Sequence, residues 1–165
     1  MEDIASESGL SRAALYLQFR NKEDIFRDLA RGLHEEGLLQ AEAALEGEQS
    51  LSERLRAGVE AKTLRMIEIV YGSPHGSELM DEKNRLCGDL ATDSERRFQE
   101  MLTRVFERAE ETKEIDLTVS GLSATEVADV FAGAVQGLKG PEVTTDAYRT
   151  RLASLVKVFV AGLGG

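Results

Sequence analysis

Two prolines in 165 residues, with apolar side chains recurring every three or four positions, leave this chain little but helices to fold into. No repeat, low-complexity tract or proline-rich linker interrupts the pattern. The capping chemistry then divides it. Asn21 can cap a long helix that opens with Glu23 and Asp24, carries Ile25, Leu29 and Leu33 inward, and runs to about Gly47. Ser50 and Glu53 form a capping box for a second helix, with Leu55, Val59, Met66, Ile67 and Val70 facing inward until Gly72, Ser73 and Pro74 stop it. An irregular piece is expected over 76–81, and a further long helix over 82–112, buried through Leu86, Leu90, Phe98, Met101, Leu102, Val105 and Phe106. Ser94 on that stripe implies a kink or a polar spot in a cavity. After a loop over 113–122, Ser123 and Glu126 cap a helix carrying Val127, Val130, Phe131, Ala134, Val135 and Leu138, which Gly140 and Pro141 end. Thr144 or Thr145 opens the last helix, apolar through Tyr148, Leu152, Leu155, Val156, Phe159 and Leu163.

The segment before Asn21 is built differently. Ile4 and Ala5 begin a short helical face, and Gly9 stands where a helix stops, since glycine alone enters the left-handed region without a Cβ penalty. Ser11 is placed to cap the next short helix. Leu15 and Phe19, four apart, share a face that can pack on Ile4 and Ala5. Arg12, Ala13, Tyr16 and Leu17 then look outward on a face narrow enough to enter a major groove. The whole reads as a helix-turn-helix.

The run GLSRAALYLQFRNKEDIF resembles the signature of the tetracycline-repressor-like (TetR) family: a Gly-apolar-Ser turn, a short recognition helix containing Leu-Tyr, a Phe, and a Lys-Glu pair opening the next helix. The resemblance implies an all-α protein in which residues 1–33 are a DNA-binding head and residues 34–165 a helical ligand-binding and dimerisation domain. It implies a dimeric, ligand-responsive regulator, a repressor, bound to a palindromic double-stranded DNA operator. Carried over by position, Arg12 and Ala13 face bases, with Leu17 beside them, while Ser11, Tyr16 and Lys22 hold phosphates. This chain departs from the commoner pattern at Ala14, Leu17 and Arg20, where threonine, histidine and proline are frequent; Arg20 adds a phosphate contact. The family also places a complete helix before the motif, whereas only Met1, Glu2 and Asp3 precede Ile4 here. The head is therefore expected to be N-terminally incomplete, through residues missing from the sequence, an internally assigned start, or a natural truncation. In the last case the alternative is a dimeric ligand-binding or interaction protein that does not grip DNA.

Net charge is −10, which sets a condition on any DNA-binding claim. Within residues 11–31, Arg12, Arg20, Lys22, Arg27 and Arg31 outnumber Glu23, Asp24 and Asp28 by two, so positive charge gathers at the proposed reading head while the rest of the chain repels DNA. No apolar run approaches the ~20 residues of a membrane span, and no signal peptide opens the chain. A composition 42% hydrophobic and 30% charged suits a globular protein, read as cytoplasmic, with no membrane partner. Cys87, the lone cysteine, fits a reducing compartment. His34 and His75 stand in no metal-ligand or nucleophile spacing, so no metal, cofactor or enzymatic activity is expected.

Two further sites follow from the resemblance. Met66, Tyr71, Met80, Cys87, Phe98 and Met101 are candidates to line a cavity for a small-molecule effector, with plain core packing as the alternative. For the homodimer interface, the last two helices offer Val127, Phe131, Gly133, Gly137, Leu152, Leu155 and Phe159. Gly133 and Gly137, four apart, would permit close approach of a second backbone, and two such hairpins would make a four-helix bundle. Here too the same residues could be ordinary core.

Overall fold

The computed structural model describes residues 1–71, 73–140 and 143–164, with the side chains of Tyr71 and Ser77 outside the described set. Among them are seven α-helices and one 3-10 turn, and no strand: α1 Glu2–Ser8, α2 Arg12–Gln18, α3 Lys22–Leu45, α4 Leu51–Tyr71, α5 Gly76–Glu111, the 3-10 turn Leu117–Val119, α6 Ala124–Gln136 and α7 Thr145–Gly162. The fold is all-α.

The boundaries follow the capping residues. Asn21 Oδ1 accepts from the Asp24 amide at 2.8 Å, and Asp24 Oδ2 accepts from the Arg20 amide at 3.0 Å, a reciprocal cap at the start of α3. Ser50 with Glu53 and Ser123 with Glu126 close capping boxes on α4 and α6. Thr144 Oγ1 caps α7 through the Ala147 amide at 3.2 Å.

Four expectations are corrected. The segment over 76–81 is helical and belongs to α5, whose one non-helical residue is Cys87 (φ −128°, ψ 19°), so the break falls there and not at Ser94. Ser94 is instead a buried hydroxyl without a partner among the described residues. Helix α6 ends at Gly137 in right-handed conformation, three residues before Gly140. Leu29 and Val130 are exposed, because Ala30, Leu38 and Ala41 form the inner stripe of α3 and Val127, Phe131 and Val135 that of α6. Gly72 and Pro141, read as helix stops, lie outside the described residues.

Helix α3 packs on α4 and α5, α6 on α5, and α7 on α4. Gly37 lets α3 approach α4 closely: a Cβ there would stand 3.3 Å from the Lys62 carbonyl oxygen. The core centres on Leu55, Val59, Leu102, Phe106, Phe131 and Tyr148, with the rings of Phe106, Phe131 and Phe159 meeting at centroid distances of 5.0–6.1 Å.

Helices α3 and α5 run side by side in the same direction. Glu23 meets Arg85, Arg27 meets Asp89, Glu35 meets Arg97 and Glu42 meets Arg104, each pair separated by the same interval in sequence. Arg108 continues the ladder to the Glu46 carbonyl.

Candidate nucleic-acid interface and the cleft in the body

In the head, Ala5 and Leu15 supply the buried pivot between α1 and α2. Gly9 adopts φ 69°, ψ 14°, and its left-handed turn lets Leu10 N–H return to the Ala5 carbonyl at 3.0 Å. Ser11 Oγ accepts from the Ala14 amide at 3.1 Å and starts α2. These three events aim α2 outward.

Ser11, Arg12, Ala13, Tyr16, Leu17, Arg20 and Lys22 are all solvent-exposed, Leu17 at 87% and Tyr16 at 51%. Exposure on this scale is unusual for a leucine and a tyrosine on one helix, and here both share it with two cationic neighbours. Arg12 donates to Glu2 Oε1 across the turn, so its guanidinium is held against α1. Lys22 stands at the first turn of α3, beside the backbone amides that the Asn21 cap organises.

Residues 1–29 match the family described as bacterial regulatory proteins, tetR family. The head is that of a tetR-family regulator. The match covers the head, and with it DNA binding and a role in transcription regulation. No curated protein and no solved structure matches the chain.

Below the TetR head, a cleft opens between α3, α4 and α5, enclosing about 800 Å³ with its mouth included. Met66 and Met80 line it. Three other sequence candidates do not. Cys87 and Phe98 are packed within the protein, Phe98 beneath the Lys62 ammonium at 5.1 Å from its ring centroid, and Met101 flanks a separate shallow groove beside Leu45 and Val105. Tyr71 lies outside the described side chains. Burial pushes the Cys87 thiol above its ordinary range, which makes it less reactive.

What the sequence reading missed is polar. His34, Lys62, Lys83, Glu95 and Lys139 all reach the cleft. Lys62 is 8% exposed at its side chain and holds Glu95 at 2.7 Å. A signal was present, because Lys62 continues the Leu55, Val59, Met66 stripe at helical spacing, where a charge needs a reason. Lys139 donates to Gln136 Oε1 at 2.9 Å, and burial together with Lys62 and Lys83 lowers its pKa to about 8 against the opposing pull of Glu95. Burial, then Lys62 and Lys83, also lower the pKa of His34, whose buried Nε2 has no hydrogen-bond partner among the described residues.

The proposed interface residues divide. Val127, Phe131 and Leu152 are enclosed by the protomer's own core, and Leu155 and Phe159 pack against it, so the first three have no surface to give a partner. Gly133 is exposed with open space above it, and Gly137 is exposed as well. Val130 and Val158, absent from the sequence candidates, are 52% and 72% exposed on α6 and α7. Among the described residues no cluster of three or more potential metal ligands occurs, and no helix is long and apolar enough to cross a membrane.

Proposed function

We propose that the protein is a homodimeric, effector-responsive repressor of the cytoplasm that reads an inverted-repeat operator through α2. The observation that carries this reading is the exposure of all seven candidate contact residues around a helix-turn-helix whose pivot, Ala5 and Leu15, is buried. Arg12, Ala13 and Leu17 face base edges, and Ser11, Tyr16, Arg20 and Lys22 hold phosphates.

A dimer is required because one α2 spans too few base pairs for useful specificity. Two heads held about 34 Å apart read two half-sites one helical turn apart. The exposed face of α6 and α7, with Val130, Gly133, Gly137 and Val158, supports a two-fold contact. An effector in the cleft between α3, α4 and α5 changes head spacing through α3, lowering operator affinity by its differential binding to the two arrangements. Selection from random duplex DNA tests the reading: enrichment of an inverted repeat is expected, and recovery of unselected sequence would refute it.

A further inference from the structure

The cleft carries a charge pattern that says what it can hold. Lys62 is already matched by Glu95, and at the exposed rim Arg65 stands opposite in sign to Glu36. Among the described residues Lys83 and Lys139 make no ion pair, and the buried Nε2 of His34 has no hydrogen-bond partner. Lys139 has a neutral partner in Gln136. The apolar part of the lining is Ala61, Met66, Ile67, Val70 and Met80.

We propose that this cleft binds a small organic anion with an apolar body, its acidic head taken by Lys139, Lys83 and His34 and its body laid along Met66, Ile67, Val70 and Met80. The assignment rests on the effector-responsive reading above and names the chemical class of effector. Three physical points lead to it. A half-buried ammonium without an ion-pair partner gains from a counter-charge more than an exposed one does, since water screens it less, and around Lys139 the cations Lys62 and Lys83 outnumber the one carboxylate, Glu95. A buried ring nitrogen without a partner regains a hydrogen bond when an anionic oxygen arrives. A cationic ligand would meet like charge on two lysines, and an uncharged one would leave both lysines uncompensated.

The cleft is also placed to be heard. Lys83 and Ala91 belong to its wall and bracket Cys87, the non-helical residue of α5, while Arg85 and Asp89 between them hold Glu23 and Arg27 at the base of the head. An anion drawing Lys83 inward acts on the break in α5.

The test is calorimetry on the full chain with octanoate, octyl phosphate, octan-1-ol and octylammonium. Either acid is expected to bind about tenfold or more tightly than the alcohol, the gain of a charge-assisted hydrogen bond, with octylammonium weaker still. The tighter of the two acids identifies a carboxylate or a phosphate head. Binding of an acid near pH 8 should take up protons as the Lys139 pKa rises, read as a dependence of the heat on buffer ionisation. Lys139→Met should abolish that uptake and weaken acid binding about tenfold while leaving octan-1-ol unchanged. Equal binding of acid and alcohol, or no binding of either acid, would overturn the proposal. Duplex binding measured without any probe separates the two readings: DNA bound but no acid bound defeats the ligand class alone, and acid bound without DNA defeats the regulator reading alone.

Discussion

The guanidinium of Arg27 grips the carboxylate of Asp89 with two parallel hydrogen bonds, 2.9 and 2.7 Å, while its Nη1 also donates to the Leu86 carbonyl. Those two α5 residues lie on opposite sides of Cys87, so one side chain of the head helix spans the break. Asp89→Asn should leave the global unfolding midpoint nearly unchanged, because the pair is exposed and screened. It should accelerate amide hydrogen exchange at the start of α3, and unchanged protection there would count against the clamp. The Arg27 hydrogen bond lowers Asp89 from 3.8 to about 2. The sign follows: the pair's contribution is complete above the ordinary aspartate range and disappears as pH falls toward 2.

At the head, Lys22→Ala should weaken binding to every duplex alike and flatten its dependence on salt, as loss of a phosphate contact does. Arg12→Ala should relax one operator position. Glu2→Gln, which releases Arg12 from α1, should tighten binding at low salt. Titrations over a salt series distinguish these outcomes, and a uniform loss across sequences for Arg12→Ala would remove its base contact.

Arg54 is 2% exposed, and Glu114 both holds it at 2.6 Å and accepts the Leu51 amide at the start of α4. Glu114→Ala strands that guanidinium and uncaps the helix. A loss of about 2–3 kcal/mol is expected, below the full range for a buried pair because Glu114 is partly hydrated. Urea unfolding measures it. Burial opposes the charged form of Glu114, but hydrogen bonds from Arg54 and Thr112 outweigh it and lower the pKa, so the contribution fades only as pH drops below the ordinary glutamate range.

Tyr148 is fully enclosed, and among the described residues its hydroxyl makes no hydrogen bond of proper geometry. Tyr148→Phe should therefore be neutral or stabilise by up to ~1 kcal/mol, an outcome opposite to that for a bonded tyrosine. Burial raises its pKa from 10.0 to about 12. Folded protein then keeps a proton that the unfolded chain releases, and stability falls between those values, a slope the phenylalanine variant should lack.

Val158→Glu and Val130→Glu place charge on the exposed face of α6 and α7 without touching the core. Light scattering should show the mass halved relative to the unaltered protein, with helicity retained. A mass unaffected by both would move the interface elsewhere.

Local chemistry made much of this legible. Gly9, Ser11, Asn21, Ser50 and Ser123 each act within four residues of themselves, so their effect on the backbone can be read from order alone. Leu29 and Val130 misled because helical periodicity names a stripe but not the edge at which packing stops. Segment 76–81 reads as irregular chain after Pro74, yet its residues continue into α5, and the break falls at Cys87, where the adjacent Gly88 is a mark that the apolar stripe on either side outweighs. The cleft was hardest. Lys62 comes from α4, Lys83 and Glu95 from α5 and Lys139 from the segment after α6, and as isolated charges each resembles a solvated residue until their convergence gives them one address.

The uniform spacing of the α3–α5 ladder constrains how any signal crosses the molecule. Since every rung joins residues equally far apart in sequence, sliding one helix along the other would break all of them together, a cost far greater than swinging them apart about one end. The ladder therefore favours pivoting of α3 against α5 over sliding, with the non-helical Cys87 beside its upper rungs and Glu35 to Arg97 and Glu42 to Arg104 farther along.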